Sequence, residues 1–171
     1  MTGFSTPALW SGQFRKGFLC LPLQKDKQAE YLSWAVDAFR LASSGVSSHT
    51  QIHSHMCYSD FNSIYDQIIA MDADVISIEN SRAGGRLLQV FKERRYPSGI
   101  GPGVWDIHSP LVPGEEEILN HLHDILQYLS PESIWVNPDC GLKTRNWEEV
   151  DPSLVNMVNA SRRLRREYSK Q

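Results

Sequence analysis

The sequence predicts an α/β protein in which one helix precedes four parallel βα units, or about half of a (β/α)8 barrel. Short β-branched segments alternate with segments of helical periodicity, which is typical of a parallel sheet. No hairpin signal joins two successive strands. A complete barrel needs eight units in about 250 residues, and this chain has 171 residues. A small open α/β sheet is the competing architecture.

The N-terminal part of the chain is predicted to change from irregular to regular structure. Residues 1–20 show no sustained period and contain three glycines and one proline, so we expect an irregular segment. A helix is predicted from Asp26, because apolar residues recur at helical spacing until Gly45 provides a stop. Thr50–His55 is predicted to form the first strand, and Phe61–Met71 the helix after it.

The remaining three units follow the same pattern. Each is predicted from a short segment of apolar residues with strand character, followed by a longer segment with an apolar face. The predicted strands are Asp74–Glu79, Gly103–Ile107 and Ser133–Asn137, and the predicted helices are Arg86–Lys92, Glu115–Leu129 and Pro152–Tyr168.

Composition and charge exclude several classes of protein. Hydrophobic residues make up 41% and charged residues 22%, which predicts one globular domain and not a disordered chain. A net charge of −3 gives no reason to expect a nucleic-acid partner. The sequence lacks a run of 18 apolar residues, so we expect no membrane span. The three cysteines, Cys20, Cys57 and Cys140, are too sparse for a disulfide framework, which favours the reducing cytoplasm.

Residues capable of chemistry fall at the ends of the predicted strands. The first strand ends with His55 and Cys57, the second ends with Glu79, the third is followed by His108, and the fourth by Cys140. In parallel α/β folds the carboxyl ends of the strands share one rim, where active sites are built. We therefore expect these side chains to meet.

Four of these residues are candidate zinc ligands. His55 and Cys57 are two apart in an extended segment and project to the same face, and imidazole, thiolate and carboxylate are ordinary ligands of zinc. Taken singly, Glu79 could instead be paired with Arg82 or Arg86, and Cys140 could occupy a tight turn. Together, His55, Cys57, Glu79 and Cys140 predict a zinc site. His53, deeper in the same strand, is interpreted as a satisfied core histidine.

The ligand set favours thiol chemistry. Zinc(II) with two thiolates and one carboxylate carries a net charge of about −1, which disfavours generation of hydroxide. It suits the binding of an incoming thiol and the lowering of its pKa, so an S-alkyltransferase fits best. A zinc hydrolase, suggested by the alternation of His53 and His55, is a weaker alternative.

Four long motifs resemble the C-terminal domain of cobalamin-independent methionine synthase. They are TQIHSHMCYSDFN, DADVISIENSR, GIGPGVWDIHSP and IWVNPDCGLKTR, and the similarity extends from about Leu21 to the end of the chain. The family transfers the methyl group of 5-methyltetrahydropteroyl-polyglutamate to L-homocysteine and uses one zinc ion and no cobalamin. The resemblance implies that His55, Cys57, Glu79 and Cys140 hold the zinc. It also implies that His108 is the proton donor for N5 of the folate.

The chain also departs from the family pattern. The family domain is a complete (β/α)8 barrel preceded by a second barrel-like domain, so the resemblance implies that residues 21–171 are the C-terminal half of the catalytic barrel. Gln13 stands where the family has the aspartate that holds the amino group of homocysteine, and Leu19 replaces an acid implicated in folate binding. A non-catalytic zinc-binding remnant of the enzyme is therefore the alternative function.

A half barrel is expected to associate through its open edges. Those edges are predicted at Thr50–His55 and Ser133–Asn137, where unpaired backbone groups invite another strand. Apolar residues on the strand faces would lack the facing half of the core and stay exposed; these are Ile52, Val75, Ile107 and Val136. We expect the chain alone to be inactive and to self-associate.

Overall fold

The protein has an α/β fold. The computed structural model describes residues 10–12, 25–56, 61–82 and 86–169. The chain divides into two compact units, Met1–Ile76 and Ser77–Gln171. The division falls inside strand β3 (Val75–Ile78), which contributes two residues to each unit.

The first unit contains a parallel strand pair and two helices. Strand β1 (Trp10–Gly12) runs parallel to β2 (Ile52–Met56), with Trp10 opposite Ile52, and β3 follows β2 in the sheet. The expectation of an irregular segment at residues 1–20 is therefore wrong for Trp10–Gly12. Because β2 has neighbours on both sides, the predicted open edge at Thr50–His55 is wrong as well.

Helices α1 (Lys25–Ser43) and α2 (Tyr65–Ala70, after a 3-10 turn at Phe61–Ile64) build the core of the first unit. Phe39 is completely buried, and the rings of Phe61 and Tyr65 meet edge to face with centroids 5.7 Å apart. The sheet is tied locally by Asp74, whose carboxylate accepts a hydrogen bond from the backbone N–H of Ile52 at 2.7 Å. The helices predicted from Asp26 and at Phe61–Met71 are confirmed.

In the second unit, β4 (Gly99–Pro102) follows β3 in the sheet. The strand predicted at Gly103–Ile107 is thus wrong, because the strand lies earlier in the chain, and of the predicted residues Gly103 alone forms a β-bridge, to Asn137. The segment predicted as a strand at Ser133–Asn137 contributes only two parallel bridges, Ile100 to Ile134 and Gly103 to Asn137. A 3-10 turn at Pro131–Ser133 precedes it.

Three helices complete the second unit. They are α3 (Val90–Glu93, after a 3-10 turn at Arg86–Gln89), α4 (Glu115–Ile125) and α5 (Trp147–Tyr168). The interface of α4 and α5 buries Ile118, Leu122 and Ala160 completely. An ion pair between Arg163 and Glu116 links the outer surfaces of the two helices.

Helix α5 starts five residues before the predicted Pro152. Asn146 and Glu149 form a reciprocal capping box, in which the backbone N–H of Asn146 donates to Glu149 Oε2 at 3.0 Å. Pro152 consequently lies inside the helix, where its missing N–H removes one helical hydrogen bond. Among the described residues, no helix combines the length and the apolar character needed to cross a membrane.

Candidate functional site

In the first unit, β2 presents its two histidines on one face. Ile52, Ser54 and Met56 are buried, whereas the alternate residues His53 and His55 are partly exposed. His53 forms a 2.9 Å hydrogen bond with Gln51 Oε1, so its ring is satisfied as predicted, but it is not in the core. Burial lowers the pKa of His53, an effect that the neighbouring charge of Asp74 opposes.

In the second unit, His108 forms a cluster with Asp106 and Arg82. One carboxylate oxygen of Asp106 accepts hydrogen bonds from the backbone N–H of His108 at 2.9 Å and from its Nδ1 at 3.0 Å. The other oxygen accepts from Nε of Arg82 at 2.6 Å. Arg82, considered from the sequence as a partner for Glu79, therefore pairs with Asp106.

The charge state of Asp106 determines the tautomer of His108. Partial burial alone would raise the pKa of Asp106, but hydrogen bonds from His108 and Arg82 and the charge of Arg82 lower it below its usual value. An ionised carboxylate can only accept, so Nδ1 of His108 must donate. The Nδ1 proton of His108 is thereby committed to the Asp106 carboxylate.

A second carboxylate, Asp139, links the segments that carry Glu79 and Cys140. Asp139 is only 4% exposed. Its Oδ1 accepts from the backbone N–H groups of Asn80 and Ser81, both at 2.9 Å, and its Oδ2 accepts from the Ser81 hydroxyl. The backbone of residue 139 is itself fixed, because its N–H donates to the carbonyl of Trp105 at 2.9 Å.

The predicted zinc ligands are divided between the two units. His55 is the next-to-last residue of β2 in the first unit, while Glu79 and Cys140 belong to the second; all three are partly exposed. Cys57 lies outside the described residues, as do Cys20, Gln13 and Leu19. Within residues 25–56, 61–82 and 86–169, no three His, Cys, Asp or Glu side chains form a group that could hold a metal.

The donor set nevertheless fits zinc chemically. The imidazole of His55, the thiolate of Cys140 and the carboxylate of Glu79 are ordinary zinc ligands. Glu79 and Cys140 are partly exposed, whereas Nε2 of His55 is buried. Sequence reasoning missed Asp106 and Asp139, although a signal was present. Each acidic residue lies within two positions of a residue already singled out, as Asp-Ile-His and Asp-Cys.

Comparison with known proteins decides the family. Residues 13–163 match the family described as "Cobalamin-independent synthase, Catalytic domain". The chain belongs to this family. The identification made from the four motifs is therefore confirmed, and the family is by name independent of cobalamin.

Curated relatives of this synthase family show how much of the protein the chain represents. Two are named 5-methyltetrahydropteroyltriglutamate–homocysteine methyltransferase. The protein of Rhodopseudomonas palustris (strain TIE-1) is 60% identical over 145 residues, covering 85% of this chain and 18% of the relative. That of Vibrio vulnificus (strain CMCP6) is 52% identical over 151 residues, covering 88% and 19%. The chain thus spans about a fifth of the length of these relatives.

A solved structure supports the fold. The B12-independent methionine synthase from Shewanella sp. W3-18-1, in complex with selenomethionine, superimposes with a TM-score of 0.67. The match covers 84% of this chain and 46% of that chain, at 17% sequence identity. The α/β fold is therefore shared despite low identity in this alignment.

Proposed function

We propose that this chain is part of the catalytic domain of a zinc-dependent methyltransferase. Its reaction is the transfer of a methyl group from 5-methyltetrahydropteroyltriglutamate to L-homocysteine, forming methionine. The observation that carries this proposal is the family match over residues 13–163, together with the names of relatives up to 60% identical to the chain. The proposed architecture is the C-terminal half of a (β/α)8 barrel, and the proposed location is the cytoplasm.

The proposed zinc ligands are His55, Cys57, Glu79 and Cys140. Their support is the chemistry of the four donors, their positions in the family motifs and their place after successive predicted strands. A bound zinc ion would lower the pKa of the homocysteine thiol and keep the thiolate nucleophilic.

His108 is proposed to protonate N5 of the folate as the methyl group leaves. Without a proton, that nitrogen would depart as an amine anion, which is a poor leaving group, so a positioned general acid accelerates the reaction. The geometry in favour is the pair of hydrogen bonds to Asp106, which orient the ring and occupy Nδ1, so that a protonated His108 would donate from Nε2. Arg82 supports this arrangement by keeping Asp106 ionised.

A chimera tests the proposed activity directly. Residues 21–163 of this chain would replace the matching segment of the Rhodopseudomonas palustris relative, so that the relative keeps its own residues in place of Gln13 and Leu19, and methionine formation from the two substrates would be measured. We expect the chimera to retain turnover and to lose it on Cys140→Ser. A chimera that folds, binds zinc and forms no methionine would contradict the proposal.

A non-catalytic zinc-binding role is the second candidate. The observation that favours it is the departure from the family pattern at Gln13 and Leu19, where the family has acids that hold the substrates. Zinc content, homocysteine binding and methionine formation of the 171-residue chain separate the possibilities. A remnant binds zinc and turns over nothing, whereas a methyltransferase also binds homocysteine through sulfur. A zinc hydrolase would show no dependence on a thiol.

A further inference from the structure

Asp139 connects two loops of the second unit that are far apart in the sequence. Its side chain receives three hydrogen bonds from Asn80 and Ser81, some 58 residues earlier in the chain. A buried hydrogen bond is electrostatically stronger than one in water, because the surrounding protein has a low dielectric constant. Because Asp139 is only 4% exposed, water does not compete effectively for these donors. The two loops are therefore held together by one buried side chain.

The backbone around this contact is fixed on both sides. The N–H of Gly103 donates to the carbonyl of Ile78 at 2.9 Å, and the N–H of Asp139 donates to the carbonyl of Trp105 at the same distance. The segment from Gly103 to Trp105 thus bridges the end of β3 and residue 139. The side-chain hydrogen bonds of Asp139 add to these main-chain hydrogen bonds.

Gly103 shows how closely the backbones of residues 103 and 139 approach each other. A Cβ atom at this position would lie 2.6 Å from Cα of Asp139, far inside the contact distance that side chains tolerate. Only glycine lets the backbone of residue 103 pass this close. The close approach leaves little room for Asp139 to change position.

We propose that Asp139 is a positioning residue that fixes Glu79 relative to Cys140. The hydrogen-bonded residues Asp139, Asn80 and Ser81 form a clamp. Glu79 directly precedes Asn80, and Cys140 directly follows Asp139, so each proposed ligand is one peptide unit from a residue of the clamp. The inference rests on the proposed zinc-dependent function and deepens it. Preorganised ligands bind a metal without first losing the conformational freedom of two separate loops.

Zinc affinity of the whole chain tests the inference without any assay of turnover. Asp139→Ala removes all three hydrogen bonds, and we expect affinity to fall about 10–100-fold, the range found when partners behind metal ligands are removed. Asp139→Asn keeps an oxygen that accepts from both backbone N–H groups, so it should restore most of the affinity. Ser81→Ala removes only the hydroxyl donor and should cause a smaller loss than Asp139→Ala.

Two controls separate positioning from general destabilisation. Ser153 is completely buried and its hydroxyl donates to the carbonyl of Glu149 within α5, away from the clamp. Ser153→Ala should therefore lower thermal stability without changing zinc affinity. Cobalt(II) substituted for zinc gives a visible spectrum that reports ligand geometry; the spectrum should change in Asp139→Ala and stay unchanged in Ser153→Ala.

The outcomes distinguish this inference from the proposed function. A wild-type chain that binds no zinc rejects the zinc proposal itself. If the wild type binds zinc and Asp139→Ala binds it equally well with an unchanged cobalt spectrum, only the positioning role is wrong. Should Asp139→Ala fail to fold, Ser81→Ala decides, since unchanged affinity and an unchanged cobalt spectrum in that variant would overturn the positioning role.

Discussion

The carboxylate of Asp106 holds His108 through both its main chain and its ring, with distances of 2.9 Å to the backbone nitrogen and 3.0 Å to Nδ1. The two residues are only two positions apart, so this contact forms from local sequence. Arg82, which reaches Asp106 from the loop after β3, is the part that depends on the tertiary fold.

The first prediction concerns acid stability. Because the pKa of Asp106 is lowered in the folded protein, its ionised form stabilises the fold above its unfolded pKa, about 3.9. That contribution is lost as the pH falls through the lower folded pKa. We expect the wild type to exceed Asp106→Asn in stability at pH 7 and the difference to shrink below about pH 4. Denaturant melts at several pH values measure it; a difference independent of pH would contradict the assignment.

The second prediction separates His108 from the ligands. In the chimera, His108→Asn should keep zinc and homocysteine binding yet slow methyl transfer by about 10²–10⁴-fold, the usual contribution of general acid catalysis. Single-turnover kinetics and zinc analysis provide the measurement. Loss of the metal in this mutant would make His108 a ligand and the proton-donor role untenable.

A third prediction tests the cysteines against one another. Cys140→Ser should reduce zinc affinity sharply, because loss of a thiolate from a four-ligand site is rarely compensated. Cys57→Ser should do the same, and Cys20→Ser is the matched control that should leave the metal unchanged. Competition with a chromogenic chelator measures all three. Equal loss in the three mutants would show that the ligands are wrongly assigned.

The fourth prediction concerns the start of α5. Asn146→Ala removes the capping side chain and should lower the free energy of unfolding by about 1 kcal/mol. Asn146→Asp retains a capping oxygen and should stay near the wild type. Thermal melts of the two variants give the comparison, and equal destabilisation by both would argue against a capping role.

Much of the fold follows from local sequence signals. The segment DVISIE is rich in β-branched residues, and it forms β3; apolar spacing likewise predicted the helices. Strand β4 escaped prediction because its sequence GIGP consists mainly of residues that disfavour strands. A Cβ atom at Gly101 would collide with the side chain of Asn137, a close approach that only the folded chain reveals.

The predicted exposure of the strand faces was largely wrong. Ile52, Val75 and Ile107 are 7%, 2% and 4% exposed, so the two units bury most of the apolar surface that a half barrel was expected to leave open. Only Val136 is partly exposed as expected. Burial depends on loops and helices that pack from elsewhere in the chain, which a count of missing strands does not capture.

The sequence predicts the chemical groups of the candidate site, but it does not predict the carboxylates that hold the surrounding segments. The residue types and spacing of His55, Glu79, His108 and Cys140 indicated chemistry directly. The carboxylates of Asp106 and Asp139 act through partners 24 and 58 or 59 residues away. No periodic sequence pattern marks such long-range pairs, because the contact exists only after the sheet has formed.

The pairing of β1 with β2 has a consequence for how the limits of this domain are read. Trp10–Gly12 precede the first residue matched by the family, yet they extend the sheet. A strand joins its neighbour through main-chain groups that every residue other than proline carries in full. Sequence similarity can therefore end along the chain before the fold does. A domain boundary drawn from aligned sequences would separate two hydrogen-bonded strands.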